Sequence, residues 1–143
     1  MKLVQHLLDR KGRGIISVSA EASVLDAITT MAEKSIGSLL VMDGDDLKGI
    51  VTERDYARKV IVKGRSSEST AVGEIMSGDV TTTTPTETVN QCMTTMTDKK
   101  IRHLPVVEDG KVVGLISIGD LVQAIISDQQ EEIQHLEQYI SGQ

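Results

Sequence analysis

Apolar residues recur along the chain with two different spacings, and the order of these spacings repeats. Over 23–35 and again over 88–100 they lie three and four apart, which predicts two amphipathic helices. Each helical stretch is followed by two short apolar runs separated by a polar turn, a pattern typical of a β-hairpin. The runs are SLLVM and LKGIV in the first half, and HLPVV and VVGLI in the second. After each pair of runs the helical spacing resumes.

The two halves of the chain align without a gap when one is shifted by 65 residues. The identical pairs include Val24 and Val89, Met31 and Met96, Leu39 and Leu104, Gly49 and Gly114, and Asp55 and Asp120. The chain is therefore an internal duplication. Each half is predicted to run strand, helix, strand, strand, helix, with its opening strand near 15–18 or 80–83.

The duplication predicts an α+β fold with helical extensions at both ends. The predicted divisions are an N-terminal helix 1–12, a first repeat 13–64, a linker 65–79, a second repeat 80–126 and a C-terminal helix extension 127–143. A half of this size could not easily bury a core alone. We therefore expect the two repeats to pack about a pseudo-twofold axis and to leave two equivalent clefts between them.

Composition narrows the class of protein. A net charge of −6 and the absence of Trp and Phe argue against a nucleic-acid partner. No apolar run approaches the roughly 18 residues of a membrane span. The single Cys and the spaced apolar residues near the N-terminus predict a cytoplasmic protein. No paired nucleophile and base, phosphate loop or metal-binding spacing is evident, so we expect neither an enzyme nor a metal site.

The ends of the last two strands carry the same motif, GIVTERD at 49–55 and GLISIGD at 114–120. A hydroxyl residue followed three positions later by an acid is close to a capping box, and such a cap stabilises a helix by about 1 kcal/mol. A second interpretation is a nucleotide site. A carboxylate can accept hydrogen bonds from both ribose hydroxyls, and a helix N-terminus with nearby cations suits phosphate. The residues alone leave both interpretations open.

The duplicated motif and the segment IRHLPVV before a second strand resemble a tandem CBS domain, or Bateman module. The resemblance covers about residues 13–126 and is greatest to small stand-alone CBS-pair proteins of bacteria and plant mitochondria. It implies a non-catalytic regulatory module that binds AMP or a related adenosine nucleotide (ATP, ADP or NAD) in the clefts and signals to a partner. One alternative is a structural or assembly subunit without a nucleotide ligand, and another is a nucleotide-hydrolysing enzyme.

The resemblance also implies which residues would contact a ligand. They are Ile16, Thr52, Asp55, Thr81, Arg102, His103, Ser117 and Asp120. Arg54 joins them as one of several cations crowded near the first motif, with Arg58, Lys59, Lys63 and Arg65. In the family the motif Asp holds the ribose and the motif hydroxyl contacts phosphate, while the opening strand lines the adenine pocket. Arg102 and His103 match a position that reaches phosphate, and their counterparts Gly37 and Ser38 are uncharged. The two sites are therefore expected to differ.

Apolar residues continue at helical spacing beyond the second repeat. They include Ile126, Ile133, Leu136, Tyr139 and Ile140. One interpretation is a helix that folds back along its own module. We favour a partner helix from a second copy, and hence a homodimer, because the extra turns have nothing else to cover them. The apolar stripe of the N-terminal segment could join the same interface.

Overall fold

The structure, a computed structural model, describes residues 2–142 and has the predicted α+β composition. Its helices are α1 (Val4–Lys11), α2 (Val24–Lys34), α3 (Glu53–Tyr56), α4 (Val89–Lys99) and α5 (Ile118–Ile140). Its strands are β1 (Ser17–Val18), β2 (Ser38–Asp43), β3 (Asp46–Thr52), β4 (His103–Glu108) and β5 (Lys111–Ser117). A π-helical segment, Ala57–Ile61, follows α3 directly, and one 3-10 turn spans Val72–Glu74.

The chain divides into two compact units. The first unit comprises Gly14–Thr81 and Gly110–Val112, and the second unit comprises the remaining described residues. The first unit contains a three-stranded sheet in the order β1-β2-β3, in which β1 runs parallel and β3 antiparallel to β2. The other sheet consists of β4 paired with β5.

Helices α2 and α4 occupy the positions that the apolar spacing predicts, because polar signals begin and end them. The Ser23 Oγ accepts a hydrogen bond from the Asp26 backbone N–H at 3.1 Å, and the Thr88 Oγ1 accepts one from Gln91 at the same distance. The predicted buried face needs one correction. Ala32 continues the apolar spacing of Val24, Ile28 and Met31 but is exposed, whereas Ala27, five residues nearer the start of α2, is buried.

Both hairpins close with two-residue turns. Gly44 has a φ of 61° in the first, and Asp109 and Gly110 have φ values of 53° and 78° in the second. Only the second turn has positive φ at both residues, which is the pattern of a type I′ turn, for which Asp-Gly is a preferred sequence. The opening strands are shorter than predicted. The second is reduced to a single parallel bridge between Thr83 and Val106. Pro85 has no N–H, so the ladder cannot continue beyond Thr83.

Helix α1 lies in the core of the second unit. Val4, Leu7 and Leu8 are buried in one cluster with the apolar residues of α4, β4, β5 and the start of α5. The Val4 N–H donates to the Glu87 carbonyl at 2.9 Å, which fixes where the helix begins. The expectation that the N-terminal stripe could join an intermolecular interface is therefore wrong, because its own unit covers that stripe.

Helix α5 is 23 residues long, and only its first turns are buried. Leu121 and Ala124 pack in the core, whereas Ile133, Leu136 and Ile140 are 54%, 60% and 81% exposed. The extension does not fold back along its module. None of the helices within residues 2–142 has the length and apolarity that crossing a membrane would require.

Candidate functional site

The two motif strand ends have the same local geometry. The Thr52 Oγ1 accepts a hydrogen bond from the Asp55 N–H at 3.1 Å, and the Asp55 carboxylate accepts one from the Thr52 N–H at 3.0 Å. The corresponding distances for Ser117 and Asp120 are 3.2 and 2.8 Å. The capping-box interpretation is confirmed at both sites. Each cap holds its carboxylate in a fixed position at the start of a helix.

The motif glycines are required by close contacts within each unit. A Cβ on Gly49 would lie 2.7 Å from the Ser77 carbonyl oxygen, and one on Gly114 would lie 2.5 Å from Leu8 Cδ2. The close contact at Gly49 is with the backbone, whereas the close contact at Gly114 is with a buried side chain. These glycines therefore set how closely the chain can pack against β3 and β5.

In the first unit, the motif carboxylate is paired with a lysine of the same helical stretch. Lys59 Nζ lies 3.1 Å from Asp55 Oδ1 and also donates to the Ile75 carbonyl at 2.8 Å. Lys59 follows Asp55 by four residues, so both side chains lie on one helical face. Lys59 is one of the cations that the sequence places near the motif, but its pairing with Asp55 was not predicted.

In the second unit, the motif carboxylate is paired with a lysine from the far end of the sequence. Lys11, the last residue of α1, places Nζ 2.7 Å from Asp120 Oδ2 and 2.7 Å from the Leu115 carbonyl oxygen. Burial raises the pKa of Asp120, but hydrogen bonds from Lys11 and from Ser117 outweigh this effect and hold the pKa below its usual value. No local sequence signal pointed to Lys11, because the contact depends on where α1 packs.

The charges of Lys11 and Asp120 affect the pKa of His103. Burial lowers its pKa, and the positive charges of Lys11 and Arg102 lower it further, while Asp120 opposes them. The imidazole is therefore neutral at pH 7. Of the predicted residues in the second unit, Ser117 and Asp120 thus form one cluster, and His103 is influenced by its charges. Lys11 is the member of this cluster that sequence reasoning missed.

The other predicted residues are exposed or half-buried. Arg54 is exposed on α3 and forms no ion pair within residues 2–142. Arg102 is exposed, but its carbonyl accepts from the Ile118 N–H at 2.8 Å and so brings the start of β4 to the start of α5. Ile16 is 37% exposed just before β1, and Thr81 is half-buried.

Two further observations concern chemically active residues, namely a buried cysteine and the arrangement of side chains that can bind metal ions. Cys92 is buried, and burial raises the pKa of its thiol, as expected for a packed small side chain. Among the described residues, no group of three or more His, Cys, Asp or Glu side chains is arranged to hold a metal ion.

The family model described as the CBS domain matches the chain twice, at residues 11–62 and 72–127. The chain belongs to the CBS domain family. The two matches correspond to the duplicated halves, and each contains one capped motif carboxylate. The CBS-pair resemblance stated from the sequence is confirmed.

Similar proteins include plant and bacterial CBS-domain proteins. The mitochondrial CBS domain-containing protein CBSX3 of Arabidopsis thaliana is 44% identical over 129 residues, which are 87% of this chain and 63% of that protein. This chain therefore spans less than two thirds of the plant relative. A Burkholderia ambifaria structure, described as a signal-transduction protein with CBS domains, is 52% identical with a TM-score of 0.86, over 90% of this chain and 96% of the other.

A second solved structure shows ligands bound to a related CBS pair. The CBS domain pair of protein MJ0100, in complex with 5′-methylthioadenosine and S-adenosyl-L-methionine, is 25% identical with a TM-score of 0.80. The alignment covers 90% of this chain and 98% of that one. A CBS pair of this fold can thus bind ligands that contain adenosine.

Proposed function

We propose that this CBS pair is a non-catalytic regulatory module that binds adenosine nucleotides at its motif carboxylates and signals the bound state to a partner protein. The observation that carries the proposal is the repeated carboxylate, capped and lysine-paired in both units. The adenosine ligands of the MJ0100 pair support the ligand class. Within that class AMP, ADP, ATP and NAD are the candidates, with AMP the first to test.

The geometry accounts for ribose recognition in chemical terms. An ionised carboxylate only accepts hydrogen bonds, and adjacent ribose hydroxyls supply two donors. In each unit one oxygen of the carboxylate accepts from the helix cap, so the carboxylate is already oriented before a ligand arrives. The lysine ammonium beside it can bind phosphate. This combination suits a nucleotide better than a neutral nucleoside.

The proposal predicts that the two carboxylates carry binding. Asp55→Ala and Asp120→Ala should each weaken one site, by about 1.5–3 kcal/mol for each lost charged hydrogen bond, and the double variant should lose AMP binding. Calorimetric titration with adenosine, AMP, ADP, ATP and NAD measures this. Asp→Asn at each position is the matched control, since it keeps an oxygen for the helix cap and removes the charge. A folded double alanine variant with unchanged AMP affinity would refute the proposal.

We also propose that the chain forms a homodimer through the exposed end of α5. The stripe of Ile133, Leu136 and Ile140 is more than half exposed, and residues 127–140 extend about 20 Å at 1.5 Å per residue. Burying this stripe could contribute a few kcal/mol at about 25 cal/mol per Å², enough to matter together with other contacts.

The cytoplasmic location remains a prediction, because the plant relative is named as mitochondrial.

Light scattering on the full chain and on a chain ending at residue 128 tests the dimer. The full chain should be dimeric at micromolar concentration, and the shortened chain should dissociate while it keeps its AMP affinity. Ile133→Ser with Ile140→Ser is a milder variant that leaves the helix length unchanged. A monomeric full chain, or a shortened chain that dimerises equally well, would show that α5 is not the assembly element.

A further inference from the structure

A cavity of about 330 Å³ lies beside the motif carboxylate of the second unit. Its polar lining is Lys2, His6, Arg10, Lys11, Asp120 and Gln123. Small-molecule pockets in proteins are typically about 300–1,000 Å³, so the cavity is large enough for part of a nucleotide. Helix α1 and the residue before its cap supply four of these six side chains.

The charge of this lining is unusual for the chain. Three permanent cations, Lys2, Arg10 and Lys11, face one carboxylate, Asp120, whereas the whole protein has a net charge of −6. Lys2 Nζ lies 3.4 Å from Asp128, and Lys11 is paired with Asp120. The Arg10 guanidinium forms no ion pair within residues 2–142, so its donors are free to bind an anion.

His6 adds a directed donor to the same lining. Its Nδ1 accepts a hydrogen bond from the Leu3 N–H at 3.0 Å, as part of the cap of α1. The ring proton of the neutral imidazole must therefore be on Nε2. The cap thus fixes the tautomer and leaves an N–H donor on the other side of the ring.

The spacing of these groups indicates the size of the anion. His6 and Arg10 are four residues apart, so they lie on one face of α1 and are separated by about 6 Å along its axis. Lys11 follows Arg10 in the sequence and contacts Asp120. The donors of Lys11, Arg10 and His6 therefore form a row that starts beside Asp120 and extends along α1 for more than one turn. A chain of two or three phosphates matches the length of this row better than a single phosphate group does.

We propose that the basic face of α1 is a polyphosphate subsite for a nucleoside di- or triphosphate whose ribose is held by Asp120. On binding, Lys11 exchanges the Asp120 carboxylate for a ligand phosphate, and the ribose hydroxyls take its place on Asp120. This inference rests on the proposed function, because it requires a ribose at Asp120. The first unit has no equivalent row, since Met76 stands where the duplication would place the counterpart of Lys11.

The test separates phosphate recognition from nucleoside recognition. In an Asp55→Ala background, so that only the Asp120 site is measured, adenosine, AMP and ATP are titrated by calorimetry into the parent and into Arg10→Met, Lys11→Met and Arg13→Met. Arg13 is the matched control, because it pairs with Asp9 at 3.0 Å and does not line the cavity. Arg13→Met removes one positive charge near the same end of α1, as Arg10→Met and Lys11→Met do.

Each cavity variant has a distinct expected result. Arg10→Met should weaken ATP binding about 10- to 100-fold and leave adenosine affinity unchanged, as expected for one charge-assisted hydrogen bond. Lys11→Met should weaken ATP binding similarly but bind adenosine equally or more tightly, because the carboxylate is no longer occupied. Arg13→Met should change neither affinity. Equal effects of Arg10→Met and Arg13→Met, or no preference of the parent for ATP over adenosine, would overturn the subsite.

A second measurement separates the subsite from the proposed function. Inorganic pyrophosphate is titrated against the full chain while the ring resonances of His6 are followed by NMR. A saturable shift that Arg10→Met abolishes and Arg13→Met retains would support the subsite even if no adenosine ligand bound, in which case only the nucleotide proposal would fail. No shift of His6 with either pyrophosphate or ATP would overturn the subsite while leaving nucleotide binding at Asp55 to be judged separately.

Discussion

The two motif carboxylates have the same cap, but the lysines that bind them come from different places. Lys59, on the same helical stretch, reaches Asp55, whereas Lys11 reaches Asp120 across 109 positions of sequence. Each lysine also donates to a backbone carbonyl at 2.7 or 2.8 Å. The duplication has therefore preserved the local capping geometry, while different parts of the chain supply the cation.

The strand edges behind the carboxylates show the same contrast. The Ile50 carbonyl accepts a hydrogen bond from the Ser77 N–H at 2.9 Å, as part of a backbone bridge. The equivalent carbonyl, that of Leu115, accepts from the Lys11 ammonium. A lysine side chain can turn away by rotating its own bonds, but a backbone bridge cannot open without moving the segment that forms it. We therefore expect the second site to adjust to a ligand more readily than the first.

The largest expected effects come from the close contacts at the motif glycines. Gly49→Ala should destabilise the protein by about 2–3 kcal/mol, because its new Cβ would meet a backbone carbonyl oxygen. Gly114→Ala should cost less, about 1–2 kcal/mol, because it meets the end of the Leu8 side chain. Urea unfolding of both variants gives the comparison.

A double-mutant cycle decides whether Leu8 causes the Gly114 clash. Leu8→Ala alone should cost about 2–5 kcal/mol, since Leu8 is completely buried. Combined with Gly114→Ala it should cost clearly less than the sum, because the new methyl group fills part of the space. Combined with Gly49→Ala, in the other unit, the costs should add. Additivity in both combinations would contradict the contrast between the strand edges.

The sequence predicted the local part of this comparison and missed the tertiary part. Helices at 23–35 and 88–100 and both caps could be predicted, because spacing and capping depend on residues within a few positions of each other. Lys11 could not, since its contact requires α1 to pack against β5 and α5. The burial of Val4 and Leu8 was missed for the same reason. The nine predicted ligand-binding residues stay predictions, and only some of them lie within the two clusters.

A smaller effect is expected between pH 7.5 and pH 5.5, and it comes from the second unit. His103 occupies the position of Ser38 in the first unit, and its folded pKa lies below the ordinary value of 6.5. The unfolded chain therefore takes up the proton first as the pH falls, so this contribution to stability is present above about pH 6.5 and is lost below it. The Asp120 carboxyl acts in the same direction only at lower pH, below its ordinary value of 3.8.

Urea unfolding at pH 7.5 and pH 5.5 measures this difference. The wild-type chain should lose stability between the two values, and His103→Gln, which cannot titrate, should lose less. His135→Gln is the matched control, because His135 lies on the exposed end of α5. A His103→Gln variant that follows the wild type through the whole range would show that this imidazole does not sense pH.

The smallest expected effect is on the stability contributed by the two lysines. Lys59→Met should cost at most about 1 kcal/mol, because the Lys59 side chain is 44% exposed and exposed ion pairs contribute about 0–1 kcal/mol. Methionine keeps most of the alkyl chain, so little packing is lost. Lys11→Met should cost a similar amount, since Lys11 is 41% exposed and has an equivalent pair of acceptors. Urea midpoints at unchanged m-value measure both losses. The contrast between the sites should then appear only in ligand affinity, where Lys11→Met should raise the ratio of adenosine to ATP binding more than Lys59→Met does. A loss of several kcal/mol for either lysine would mean that the cap cannot hold its carboxylate alone, and that the lysines are structural rather than free to move to a ligand.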